Sequence, residues 1–182
     1  MQEESNMETK NEKTLELDVK FKIKDVLRYN MSVAGKNIVN QIVLGIGALS
    51  LIYFFYKMFM TAERIDTYIA KNIIFLIVPV LIFMMIPWRV WKITLSQMQT
   101  PAFSGGVTYV FSKAHIVLDL GGESEEIPWD AFVKIVETKK DFRLYVNQVS
   151  AQIIPKHNMT QEELTELKAI MKEAAPTICQ LK

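Results

Sequence analysis

Charge is missing where the chain is most apolar. Neither Ile42–Tyr56 nor Ile73–Trp88 contains a single charged residue. Neither run is a solvated surface, and neither has the ionisable groups a proton relay or ion path needs. Cysteine is nearly absent: Cys179 stands alone, which excludes an intramolecular disulfide and fits a reducing compartment. A surplus of one sign is also lacking, since 21 Lys and Arg face 20 Asp and Glu for a net charge of +1. A nucleic-acid binder shows a clear basic excess, so no nucleic-acid partner is expected. There are only two histidines, His115 and His157, and no His-x-x-x-His or Cys-x-x-Cys spacing, so no metal site is expected. No Gly-x-Ser-x-Gly elbow or phosphate loop occurs, and the adjacent acidic pairs Glu125-Glu126 and Glu162-Glu163 read as solvated surface. No catalytic or cofactor-binding residue is expected, and the chain does not read as an enzyme. A cleaved leader is not expected either, because the first apolar run starts late and is too long for one.

What is present is a pair of long apolar runs separated by a short polar link. The first extends from Ile38 to about Phe59, with Asn40 and Gln41 near its start and Gly45 and Gly47 inside it. The second extends from Tyr68 to Trp91 and carries Pro79 and Pro87, which should kink or end it. A bilayer core about 30 Å thick needs roughly 20 apolar residues in helix, and a helix satisfies its own backbone there. Tyr53, Tyr56, Tyr68, Trp88 and Trp91 lie near the run ends, as an aromatic belt requires. Residues 38–91 therefore read as a transmembrane helical hairpin. Two core helices of a soluble protein would instead need both runs to be fully buried. The link Thr61–Asn72 is too polar for lipid, and Gly45, Ala48 and Leu49 offer a small-residue surface for helix approach. Lys24, Arg28 and Lys36 precede the hairpin, Arg89 and Lys92 follow it, and Lys57, Arg64 and Lys71 in the link are partly offset by acids. The bias places both termini in the cytoplasm, in a multi-pass protein of the cell's inner membrane.

The flanks read as a different kind of structure. Residues 1–13 are polar and read as a disordered tail. Residues 14–37 hold a first strand and a membrane-entry segment. Leu15, Leu17, Val19, Phe21 and Ile23 alternate with Glu16, Asp18, Lys20, Lys22 and Lys24, the period of a half-buried strand from Leu15 to Lys24. Asp25–Lys36 reads as a short interfacial helix. Residues 103–178 carry strands over Val107–Phe111, His115–Leu120, Ser124–Trp129, Phe132–Thr138, Phe142–Asn147 and Ala151–Ile154. Pro128 suggests that the third of these is an edge. Thr160 and Glu163 have the spacing of a capping box, Leu164, Leu167, Ile170, Met171 and Ala174 form one stripe, and Pro176 stops the helix. The first strand has no partner nearby in sequence, so the later sheet is expected to take it. The fold class is an α+β membrane protein: a two-helix transmembrane hairpin inserted in a small antiparallel β domain with a closing C-terminal helix. The element count is that of a pleckstrin-homology-like (PH-like) barrel.

Several short segments carry a family resemblance: Ile127-Pro128-Trp129-Asp130-Ala131-Phe132, Ile135-Val136-Glu137, Phe142-Arg143-Leu144-Tyr145-Val146 and Ile153-Ile154-Pro155-Lys156, followed by a helix opening in which Thr160 precedes Glu162 and Glu163. With the order strand, two apolar helices, domain, the chain resembles the YcxB-like family of bacterial membrane proteins. Where that family often has arginine after the Pro-Lys pair, this chain has His157. The resemblance implies architecture and location and supplies no catalytic residue. Trp129 and Pro155 read as structural anchors, Asp130 as a cap for the turn after Trp129, and Lys156 as exposed beside Pro155. Lys20, Lys22, Lys24, Arg28, Lys36, Arg89 and Lys92 are expected at the cytoplasmic headgroup layer, where anionic lipid attracts them. The expected partners are the lipid bilayer and a protein, with no cofactor. A homo-oligomer is compatible with this, because two helices form a transport path only when several copies assemble. The expected role is a membrane-anchored cytoplasmic binding or regulatory module. The alternative is an accessory or immunity-type membrane subunit acting through its hairpin.

Overall fold

The computed structural model describes residues 14–181. The expected polar tail, residues 1–13, lies outside them. The described chain forms two compact units. One comprises the residues up to Val26 together with those from Gln97 onward, and the other is Leu27–Ser96. In chain order the elements are β1 (Leu15–Val19), α1 (Ile23–Lys36), α2 (Ile38–Met60), α3 (Ile65–Asn72), α4 (Ile74–Gln97), α5 (Pro101–Ser104), β2 (Val107–Phe111), β3 (His115–Asp119) and β4 (Ser124–Pro128). They continue with β5 (Lys134–Glu137), β6 (Asp141–Tyr145), β7 (Ala151–Pro155), α6 (Gln161–Ala174) and β8 (Cys179–Gln180).

The discontinuous unit is built from two four-stranded sheets, ordered β1-β2-β3-β4 and β7-β6-β5-β8. β1 pairs antiparallel with β2, with Leu15 opposite Phe111 and Val19 opposite Val107. The alternation of Leu15, Leu17 and Val19 with Glu16 and Asp18 puts the three apolar side chains in the core, while Asp18 accepts a hydrogen bond from Thr108 Oγ1 at 2.7 Å. The expected strand to Lys24 stops at Val19. Lys22 N–H donates to the Asp25 carboxylate and the Asp25 amide to the Lys22 carbonyl, which starts α1 at Ile23. Phe21 is therefore only partly buried, its ring tilted 59° to that of Phe103 at a 4.9 Å centroid distance, and Ile23 is exposed. The chain needs glycine at Gly106, where φ is +85° and a Cβ would meet the Val19 carbonyl at 3.0 Å.

β3 and β4 are joined by a turn in which Asp119 Oδ1 accepts from the amides of Gly121 and Gly122. Pro128 sits on an edge strand, since β4 ends its sheet, and an edge spares the missing donor. β8 escaped the sequence reading: two residues after Pro176 pair parallel with β5, too short a segment to show a period. The expected strands over Phe132–Thr138 and Phe142–Asn147 shift to Lys134–Glu137 and Asp141–Tyr145. α6 has the capping box, and Leu167, Ile170 and Met171 are buried against Phe111, Ile135, Phe142 and Leu144. Burying each such side chain stabilises the unit by about 1.5–3 kcal/mol.

In the Leu27–Ser96 unit, α2 and α4 are long and apolar enough to cross a membrane, and only 11% of the most apolar stretch of each is buried. Asn37 caps α2 by accepting from the amides of Val39 and Asn40. The polar link is partly helical, as α3, and Tyr68 donates from its hydroxyl to the Phe54 carbonyl at 2.9 Å. α4 runs through Pro79 and Pro87 rather than ending there. Pro79 lacks the amide that would bond Phe75 four residues back, and Ser50 Oγ donates to that freed carbonyl at 3.4 Å. The small residue at the α2–α4 contact is Gly47, whose Cβ position faces Pro79, Ile82 and Phe83. Gly45 faces open space, because two residues along a helix point nearly to the opposite side.

Candidate functional site

The segments around Glu137, Phe142 and Ile153–Lys156 meet at the turn between β7 and α6. Pro155 ends β7, buried, and is followed by a short 3-10 turn, Lys156–Asn158. Its fixed φ of −68° suits that exit. Lys156 is not exposed as expected. Its side chain is 18% exposed, its ammonium sits on the Glu137 carboxylate, and it lies 4.9 Å from the centre of the Phe142 ring. Lys168 of α6 reaches the same Glu137 oxygen at 2.6 Å. Glu137 is 4% exposed, so its charge is held by two ammonium groups rather than by water. One strand away, Asp141 accepts from Arg143 Nε at 2.8 Å and from Thr138 Oγ1 at 2.8 Å. Burial alone lowers the Arg143 pKa, but hydrogen bonds to Asp141 and Tyr145 outweigh it, and the net shift is upward.

The same turn ties down the exit of β1. His157 Nε2 lies 2.8 Å from Asp25 Oδ2. Asn158 accepts from the Lys20 amide at 3.3 Å and donates to the Lys20 carbonyl at 3.2 Å. Chemically, this is a set of hydrogen bonds that fixes where the chain leaves β1.

Trp129 is buried in a 3-10 turn, donates from Nε1 to the Ser112 carbonyl at 3.0 Å, and packs near Phe111 and Phe132. Asp130 is exposed and does not cap that turn; the Phe132 amide closes it on the Trp129 carbonyl. Residues 111–171 match the family model of the YcxB-like protein. No curated protein and no solved structure matches the chain. The YcxB-like segment runs from the end of β2 into α6, so it holds Trp129, Asp130, Pro155, Lys156 and the whole Glu137 network. β1 and the two long apolar helices lie outside it.

The basic residues are spread over several elements. Lys20 follows β1, Lys22 precedes α1 and Lys24 lies within it, all three exposed, so the early end of the strand breaks their common register. Arg28 and Lys36 belong to α1, and Arg89 and Lys92 to α4. Lys92 lies 5.6 Å from the Trp88 ring centre, while Arg89 lines a cleft with Asn30, Asn37 and Asn40. Sequence reasoning did not bring Glu137 together with Lys168, or Asp141 with Arg143, because Lys168 lies in a separate helix and strand alternation does not show which charges pair. A stronger signal was available: charged residues at Glu137, Asp141 and Arg143 beside apolar ones at every second position, in strands too short to waste a face.

Proposed function

We propose that this chain is a membrane-anchored cytoplasmic binding or regulatory module, without catalysis, in which a PH-like domain is carried by a transmembrane hairpin. One observation carries the reading. α2 and α4 leave Leu49, Ile52, Leu81 and Met84 each 59–66% exposed, on helices of membrane-spanning length. In water each such side chain forgoes about 1.5–3 kcal/mol of burial, whereas lipid supplies it. The domain's charged groups are held in pairs such as Glu137 with Lys156 and Lys168, which supports a stable platform over reactive chemistry. Arg28, Lys36, Arg89 and Lys92 flank the start of α2 and the end of α4, and the positive-inside rule then places both termini in the cytoplasm of an inner-membrane protein. Lys20, Lys22 and Lys24 join them at the headgroup layer in this reading, with the bilayer and a protein as partners. A second reading, an accessory or immunity-type subunit working through its helices, is favoured by Gly45, which leaves an open face on α2 for another helix.

The test uses a Cys179→Ser background. Thr67→Cys is expected to react with an impermeant thiol reagent on intact cells, and Ser124→Cys only after lysis. The reverse pattern overturns the orientation, and release of the chain by alkaline wash overturns the anchor. A photoreactive residue at Glu126 should give discrete protein adducts in cells. Adducts only from Leu49 would favour the second reading.

A further inference from the structure

The Leu27–Ser96 unit contains a cleft of about 580 Å³ between α1, the start of α2 and the end of α4. That lies within the roughly 300–1,000 Å³ usual for ligand sites. Its wall is amphiphilic. Arg89, Asn30, Asn37 and Asn40 line one part, and Val43, Ile86 and Ile93 another. The polar part is built rather than loose. Asn30 Nδ2 donates to Thr94 Oγ1 at 3.0 Å, Thr94 donates on to the Val90 carbonyl, and Asn40 Nδ2 donates to the Ala34 carbonyl.

The charged residue lining the cleft is Arg89. No Asp or Glu occurs from Leu27 to Ala62 or from Asn72 to Leu118. Arg28, Lys36, Arg89 and Lys92 all lie within these stretches. The unit's acids, Glu63 and Asp66, lie beyond the other end of α2, a helix of 23 residues and so roughly 35 Å long. The cleft thus joins a cation to an apolar wall, at the basic end of two helices of membrane-spanning length. A soluble phosphate would use the cation and ignore the wall, whereas a lipid would use both.

We infer that this cleft holds an anionic phospholipid, with Arg89 on the headgroup phosphate and the Val43, Ile86 and Ile93 wall against the upper acyl chain. The inference rests on the membrane reading above. Basic pockets between membrane helices bind anionic headgroups through this combination of charge and shape.

Native mass spectrometry of the full chain in detergent tests it, with phosphatidylglycerol, phosphatidylcholine and glycerol phosphate as probes. Phosphatidylglycerol is expected to be retained over phosphatidylcholine. Arg89→Gln should weaken retention roughly fivefold, the worth of one basic residue at anionic lipid, while Arg89→Lys should keep most of it. Lys92→Gln, which removes an equal charge outside the cleft, should change it much less. Equal retention of the two lipids, equal loss in Arg89→Gln and Lys92→Gln, or full displacement by glycerol phosphate would each overturn the site. Alkaline washing of membranes separates the two readings. A chain that stays with the membrane but shows no lipid preference refutes the cleft alone, and a chain that washes off refutes the anchor.

Discussion

Glu137 is 4% exposed and ionised groups meet it from two elements, Lys156 after β7 and Lys168 in α6. Taking a carboxylate out of water is repaid only by close, well-aligned partners. The network therefore specifies how the β7–α6 turn seats on β5. Replacing Glu137 by Ala leaves two partly covered ammonium groups without this carboxylate, and the expected loss is about 3–5 kcal/mol. The lower end applies because both lysine side chains retain some solvent, 18% and 23%. Lys156→Met should cost less, since Lys168 still holds Glu137. Cys179 provides the readout in the full chain. It is the only cysteine, it is half-buried in β8, and its thiol donates to the Met171 carbonyl at 3.3 Å. Burial raises its pKa, partly offset by Lys172, so it reacts slowly while β8 stays paired. Thiol modification against urea in detergent should shift to lower urea in Glu137→Ala. An unchanged midpoint would show the pairs to be energetically idle.

At the scale of elements, α6 illustrates how a local motif and a tertiary face reinforce each other. Thr160 Oγ1 accepts from the Glu163 amide, and Glu163 accepts from the Thr160 amide at 2.7 Å and from its hydroxyl at 2.9 Å. Those bonds favour the charged carboxylate and hold the Glu163 pKa below its ordinary 4.5. A carboxyl whose folded pKa is depressed contributes fully above the unfolded value and loses that contribution as pH falls through the folded one. The capping box should therefore be complete at neutral pH and weaken only below about pH 4.5. Thr160→Ala should destabilise the unit by about 1 kcal/mol at neutral pH. In the variant, the Glu163 titration followed by carboxyl NMR should move up towards the ordinary value. The shift should be partial, because the residue-160 amide, the larger cause, remains; a midpoint that does not move would mean that the Thr160 hydroxyl contributes nothing.

The whole molecule interrupts one compact unit with another. β1 and β2 pair directly, yet the hairpin and its flanking helices lie between them in sequence. Such an insertion is tolerable because loop closure grows only as the logarithm of length, about 0.6 kcal/mol per doubling. What holds β1 in place is burial: Leu17 is 2% exposed, opposite Tyr109. Leu17→Ala should destabilise the β unit by about 2–5 kcal/mol. Phe21→Ala should cost clearly less, because Phe21 lies beyond the strand and is only partly buried. Cys179 protection against urea in the full chain measures both. Equal effects would place the end of the strand beyond Val19.

The sequence by itself determined the elements whose pattern is long or chemically explicit. Two charge-free runs specify two apolar helices, because a helix satisfies its own backbone polar groups within a single apolar segment. Thr160 with Glu163 specifies a helix start, and Leu15, Leu17 and Val19 specify a strand in search of a partner. The motif around Ile127–Phe132 and Ile153–Lys156 pointed to the YcxB-like segment, which the family model matches at residues 111–171. Only the tertiary structure decided the rest. Where β1 ends depends on Asp25 turning the chain into α1, a competition that alternation cannot register. Whether Lys156 faces water depends on Glu137, nineteen residues away, and on Lys168 in another element. Whether Gly45 or Gly47 meets α4 depends on helical phase against Pro79. The cleft at Arg89 exists because α1 lies beside the ends of α2 and α4. All but the first are contacts between residues far apart in the chain, which periodicity does not describe; the first is local, but a side-chain cap is not a periodic signal.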